Sequence, residues 1–176
     1  IGAIALQVVE QLAARRLEFL ASRLPRRPDL AGIATGPDNW QPSEFDAGSL
    51  PSISAWCEGL PRVLAPLQLD VVQLQWPGVP AQVDAIYCAN LLHIAPWPAC
   101  AALMQGAARH LTAGGQLVIY GPFRIDGMPT APSNEAFDAD LKARHAEWGL
   151  RSLAAVKHEA SAQGLVLHDM RALPAN

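Results

Sequence analysis

A chain of 176 residues, half of them hydrophobic and only 16% charged, can bury a substantial core, which excludes a disordered polypeptide. Thirteen basic against sixteen acidic residues leave a net charge of −3, and no basic tract interleaves with aromatics, so nucleic acid is not an expected partner. No apolar run approaches the roughly 18 residues that span a bilayer. The expectation is one domain over residues 1–176, cytoplasmic, with no membrane partner and with Cys57, Cys88 and Cys100 as free thiols.

In chain order, Ile4, Leu6, Val8, Val9 and Leu12 fall at helical spacing opposite Gln7, Glu10 and Gln11, which predicts an amphipathic first helix without the basic leader of a signal peptide. "RLEFLAS" then reads as a buried strand leading into a ligand-binding turn, although no glycine follows Ser22. Further strands are expected in "NWQPSEF", "LQLDVV", "VDAIYCANLL", "GQLVIYGPF" and "GLVLHDMRAL".

Helical patterns lie between most of these strands. Asp46 can cap "SLPSISAWCEGL", and Pro98 opens "PACAALMQGAARHL", where Leu103, Ala107 and Leu111 share a face with Met104 and Ala108. "TAGG" offers Gly114 or Gly115 as a left-handed cap, and "SLAAVKHEASAQG" ends on Gly164. Strands alternating with helices imply an α/β fold with a largely parallel sheet. The long stretch Gly121–Asn134, "GPFRIDGMPTAPSN", reads as a functional loop at the carboxyl edge of that sheet.

Candidate chemistry gathers at the expected strand ends. A nucleoside-binding sheet presents a carboxylate after its second strand to accept hydrogen bonds from ribose hydroxyls, and "WQPSEFD" offers Glu44 and Asp46 there. Asp46 serves equally well as a helix cap. Asp70 ends the third strand and either reaches a base edge or starts a turn. Strand Val83–Ala89 runs out into Asn90 and His93, an amide and an imidazole where substrate would meet cofactor, while a structural role for the histidine weighs about the same. Tyr120 either positions a substrate or turns its hydroxyl outward from the core. In "APSNEAFD", Ser133 or Asn134 is the expected helix cap, anchored by Phe137. No H-E-x-x-H, G-x-S-x-G or G-x-x-x-x-G-K-[ST] pattern occurs, so no metal site, serine elbow or phosphate loop is expected.

Together these stretches resemble the class I methyltransferases that use S-adenosylmethionine, with "HLTAGGQLVIYGPF" looking like their fifth-strand segment. The closer likeness is to the methyltransferase-like protein 26 family, also called domain of unknown function 938. It rests on "WQPSEFD", "DAIYCANLLHIAPW", "LVIYGPFRIDGMPTAPSNEAFDADL", "WGLRSL" and "LPAN", in that order, and covers the chain from about Arg16 to Asn176. The resemblance implies a Rossmann-like, doubly wound, mostly parallel seven-stranded sheet and a bound S-adenosylmethionine. It also implies matches for Glu18, Ala21 and Ser22 in the first cofactor motif, Glu44 in the second, Asp70 after the third strand, Asn90 and His93 in the fourth and Tyr120 in the fifth.

Two departures stand out. The sequence passes from Ser22 directly to "RLP", without the family's glycine-rich turn, and stops at "LPAN", short of the family's last strand. The first is read either as a mobile loop absent from the sequence or as genuine loss of the cofactor loop. The expectation is therefore an S-adenosylmethionine-dependent methyltransferase acting on a small-molecule acceptor, with His93 as base and Tyr120 and Asn90 shaping the acceptor pocket. A non-catalytic binding or scaffold protein and an NAD-dependent oxidoreductase are the alternatives.

Overall fold

In the computed structural model, which describes residues 3–6, 39–60 and 62–172, five strands run parallel in one sheet. They are β1 (Ala3–Leu6), β2 (Trp40–Glu44), β3 (Leu67–Gln68), β4 (Val83–Ala89) and β5 (Leu111–Tyr120), in the spatial order β3-β2-β1-β4-β5. A separate parallel pair joins β6 (Phe123–Arg124) to β7 (Arg151–Ser152). Four helices complete the described part: α1 (Leu50–Cys57), α2 (Pro98–His110), α3 (Pro132–Arg144) and α4 (Leu153–Ala162).

The strand β4 is the buried centre of the described core. Val83, Ile86 and Cys88 are fully covered, as an almost unbroken apolar run in a parallel sheet requires. Helix α2 lays Ala99, Cys100, Leu103, Met104 and Ala107 into the same core, and Val156 of α4 joins them. Complete burial of side chains such as Leu103 and Ile86 stabilises by about 1.5–3 kcal/mol each. Burial also pushes the Cys88 thiol up to about 12 and that of Cys100 up to about 11, so both behave as small apolar side chains.

One indole anchors the connection from β3 to β4, which His110 also holds through its Nδ1 contact with the Pro80 carbonyl at 2.8 Å. Trp76 donates from Nε1 to the Val71 carbonyl at 3.3 Å and stacks on His110 at 5.3 Å between ring centroids. Its ring fills the space beside Gly106, where a Cβ would fall 2.5 Å from Trp76 Cε2. Glycine at this position of α2 is thus a packing requirement.

Several sequence expectations change. Residues 3–6 form the middle strand of the sheet instead of beginning a helix, since the short apolar run "AIAL" suits a parallel strand flanked on both sides. "RLEFLAS", with Glu18, Ala21 and Ser22, lies outside the described residues.

Of "LQLDVV", β3 takes in only Leu67–Gln68, with one further bond from the Leu69 N–H to the Glu44 carbonyl at 2.8 Å before Asp70 turns the chain. "TAGG" does not cap α2. That helix ends at His110, and the glycines lie in a break of register in β5, where Val83 pairs Leu111 but Ala85 pairs Gln116. The extra residues need a backbone such as that of Gly114, at φ +80°, which is a bulge requirement. Helix α3 begins at Pro132 with Ala131 as its cap, so neither Ser133 nor Asn134 caps it. The Gly121–Asn134 stretch contains β6 and the start of α3. "GLVLHDMRAL" forms no strand through residue 172. Val166 is 86% exposed, and without a partner edge the apolar propensity of the run has nothing to pack on. The described sheet thus has five strands, with two more strands in the separate pair.

Candidate active site

All five strands of a parallel sheet end on the same side, so the topology brings Asp70, Glu44, Asn90, His93 and Tyr120 to one carboxyl edge. Glu44 closes β2, Asp70 follows β3 by two residues, Asn90 follows β4 directly and Tyr120 closes β5. The strand β1 separates the two acids from the Asn90 group, a gap of about 10 Å at the usual spacing between strands.

On the β2–β3 half, each carboxylate is held by groups close to it in sequence. Glu44 Oε1 accepts the Phe45 N–H at 2.8 Å and the Asp46 N–H at 3.2 Å. Burial raises the Glu44 pKa, and those two N–H donors oppose the rise. Its Oε2 has no hydrogen-bond partner among the described residues. Asp46 accepts from Gly48 N–H at 3.1 Å and Ser49 Oγ at 2.9 Å, capping a short 3₁₀ turn that leads into α1. These bonds lower the Asp46 pKa, the Ser49 hydroxyl foremost, so its capping role is the observed one. Asp70 Oδ1 accepts the Val72 N–H at 3.0 Å, the turn-starting arrangement.

On the β4–β5 half, Asn90 N–H donates to the Tyr120 carbonyl at 2.9 Å, which extends the ladder one residue past β4. Asn90 then enters the left-handed region at φ 57°, which asparagine tolerates better than most residues. This bend starts the 3₁₀ turn Leu91–His93, and His93 N–H donates to the Asn90 carbonyl at 2.9 Å. The His93 imidazole is fully buried against Gly121 and tilted on the Phe123 ring, with 5.1 Å between centroids. A Cβ on Gly121 would collide with His93 Nε2, would fall 2.7 Å from Cδ2, and would lie 3.3 Å from Asn90 Oδ1. Asn90, His93 and the end of β5 therefore form one cluster.

Among the described residues, neither His93 ring nitrogen has a hydrogen-bond partner. Burial pushes the His93 pKa down to about 4, and the Arg151 charge acts in the same direction. The Gly149 backbone, near but outside hydrogen-bond geometry, opposes the shift together with the Asp138 charge. The imidazole is neutral at pH 7 and thus able to accept a proton, but only from a group that reaches beneath the loop after β5.

Three residues that the sequence reading gave no role hold this cluster. Arg151 donates from Nε to the Leu92 carbonyl at 2.7 Å and from Nη2 to those of Ala95 and Glu147 at 2.6 and 2.7 Å. Its guanidinium also lies over the Trp97 ring, 5.7 Å from the centroid. Asp138, 4% exposed on α3, accepts the Leu150 N–H at 2.7 Å, Lys142 Nζ at 2.6 Å and Arg124 Nη2 at 2.9 Å. Arg124 grips Glu135 with two nitrogens, at 2.8 and 2.7 Å. These partners bring the Asp138 pKa down to about 2 even though burial, the largest single influence, acts to raise it. The sequence signals were slight: an Asp138–Lys142 pair one helical turn apart, and arginines inside "PFRIDG" and "WGLRSL". Among the described residues no cluster of potential metal ligands occurs, and no helix is long and apolar enough to cross a membrane.

Comparison with known proteins matches residues 31–176 to the family described as "Protein of unknown function (DUF938)". Among solved structures, a putative sarcosine dimethylglycine methyltransferase from Galdieria sulphuraria is 16% identical. It has a TM-score of 0.64 over 95% of this chain and 55% of that one. CalO1, a methyltransferase of calicheamicin biosynthesis solved with SAH bound, is 16% identical with a TM-score of 0.61, over 96% and 44%. A structure titled a pericyclic reaction enzyme is 11% identical with a TM-score of 0.68, over 96% and 39%. At these identities the likeness shows the fold alone: a methyltransferase-like α/β domain. The chain spans about half the length of the first two of these relatives.

Proposed function

The chain belongs to the DUF938 family, and from that premise we propose that it is an S-adenosylmethionine-dependent methyltransferase acting on a small-molecule acceptor, of the branch typified by methyltransferase-like protein 26. The observation that carries the reading is Glu44. A buried carboxylate sits at the end of β2, one oxygen held by two backbone N–H groups and the other without a partner among the described residues. That arrangement fits a pair of ribose hydroxyls, because the acid is already oriented and still has an acceptor to offer. Asp70, beside it, keeps its own turn and borders the base end of the same site.

When bound, S-adenosylmethionine supplies an electrophilic methyl group on a sulfonium. The work left to the protein is to orient the acceptor in line and keep water out. Asn90 and Tyr120 border the acceptor side of the edge, and His93 takes the acceptor's proton where deprotonation is needed, a role that requires its buried ring to be uncovered first, since burial lowers its basicity. Glu18, Ala21 and Ser22 complete the cofactor site in this proposal. We place the protein in the cytoplasm, without nucleic-acid or membrane partners. A second reading, a cofactor-binding protein without methyl transfer, is favoured by one observation: His93 is sealed in the described conformation.

Calorimetric titration of the full chain with S-adenosylhomocysteine tests the proposal. Binding is expected, and Glu44→Ala should weaken it by about tenfold or more, the loss of a charged hydrogen bond. Unchanged affinity in the variant would remove Glu44 from the ribose role, and no binding at all would end the methyltransferase reading.

A further inference from the structure

We infer that Asp138 is a positioning residue that holds a strap, residues 121–131, shut over His93, and that its contact with Arg124 is where the strap opens. The inference rests on the proposed function in one respect, that His93 must meet an acceptor.

The two oxygens of Asp138 divide their partners. Oδ2 takes Arg124 of the strap and Lys142 of its own helix, and Oδ1 takes the Leu150 N–H at the entry to β7. From there the connection runs into the His93 turn twice. Gly149 N–H donates to the His93 carbonyl at 2.9 Å, and Arg151 holds the Leu92 and Ala95 carbonyls. One carboxylate therefore fixes both the cover over the imidazole and the turn that carries it. A Cβ on Gly149 would fall 2.6 Å from Asp138 Oδ1, so the backbone passes close by this acid.

The strap itself is lightly held. Its regular pairing is the two-residue match of Phe123 with Arg151 and Arg124 with Ser152. Asp126, Gly127 and Met128 are exposed, and Gly127 turns at φ +76°. Its apolar anchors are at one end, buried Pro122 and, packed against the core, Phe123. Beyond them its hold on the rest of the protein is the Arg124 fork on Glu135 and Asp138, while the bond from Arg124 to Thr130 Oγ1 at 3.4 Å lies within the strap. Segments with few buried apolar contacts open at low free energy. Beneath this cover lies a fully buried imidazole with both nitrogens unsatisfied, a state that costs free energy and that access to a polar partner relieves. The charged groups facing His93 are Arg151 from β7 and Asp138 from α3, while its strap neighbours Gly121 and Phe123 are uncharged.

Diethyl pyrocarbonate modification of the full chain, read by peptide mass mapping, tests this, with exposed His158 as the internal standard. His93 should react at least about tenfold more slowly than His158. Arg124→Gln should raise the His93 rate by about tenfold, leaving His110, His145, His158 and His168 unchanged, as opening of one local segment requires. Arg124→Lys, which keeps a charge for Asp138, should fall between the two, and Glu135→Gln should give a smaller rise in the same direction. An unchanged His93 rate in Arg124→Gln and Glu135→Gln would overturn the inference. So would an equal rise at all five histidines, which marks a contact of the whole fold. Titration of the same preparations with S-adenosylhomocysteine keeps the two ideas apart: lack of binding removes the proposed function, whereas the His93 rates report the strap regardless.

Discussion

The two halves of the carboxyl edge are built in opposite ways. On the β2–β3 half the hydrogen bonds that each acid accepts come from within three residues of itself: Glu44 Oε1 from Phe45 and Asp46, Asp46 from Gly48 and Ser49, Asp70 from Val72. On the β4–β5 half the ties cross long stretches of chain, with Arg151 reaching Leu92 and Ala95 and Asp138 reaching Arg124 and Leu150. A locally satisfied site keeps its shape when its surroundings change. A site assembled from distant segments can be altered as a unit by one substitution, which suits the side of an enzyme that must admit and release an acceptor.

If this contrast is right, damage should be largest on the long-range half. Gly121→Ala places a methyl group against the His93 ring at a backbone angle that disfavours side chains. Urea denaturation should show a loss of about 4 kcal/mol, the sum of overpacking and backbone strain. A loss below about 1 kcal/mol would mean that the strap adjusts freely, and the contrast would fail at its strongest point.

The second test uses pH. His93 has an ordinary value of 6.5 and a folded value near 4, so the unfolded chain takes up a proton that the folded one refuses. Stability from the neutral imidazole is complete above pH 6.5 and is lost as pH falls towards 4, by roughly 3 kcal/mol in all. In His93→Gln that part of the pH dependence should vanish from melts recorded across the window. A variant curve parallel to the wild type would show that His93 titrates in the folded protein much as it does in the unfolded one.

The smallest effect belongs to the local half. Asp46→Ala removes one cap and should lower the midpoint of thermal melts only slightly. The turn carrying His93 should be unaffected, so its histidine reactivity should match the wild type. A larger loss, or one that propagates to His93, would show that the two halves are coupled.

The same contrast explains what the sequence disclosed. β4 was legible to the residue, from Val83 to Ala89, because an apolar run bounded by polar residues has few other solutions. The start of α2 at Pro98 and the Gly164 turn after α4 followed from cap chemistry, whereas the sequence left Asp46 open between ribose ligand and cap, and its bonds cap the 3₁₀ turn ahead of α1. The placement of Glu44, Asp70, Asn90, His93 and Tyr120 at one edge followed from alternation alone. β1 misled, since four apolar residues fit a helix face and a central strand alike, and only the pairing with β2 and β4 decides. The Arg124, Asp138 and Arg151 contacts could not be read, because each joins groups whose proximity is made by the fold. The burial of His93 beneath Gly121 was hidden for the same reason.

The fit of Trp76 beside Gly106 has a consequence for how this chain can vary. An indole at 76 and any side chain at 106 are mutually exclusive, so the two positions are free to drift only together, a large residue at one answered by a small one at the other. Related sequences should therefore show the pair as a single covarying character, and a graft of the β3–β4 connection into another backbone will succeed only if helix α2 travels with it.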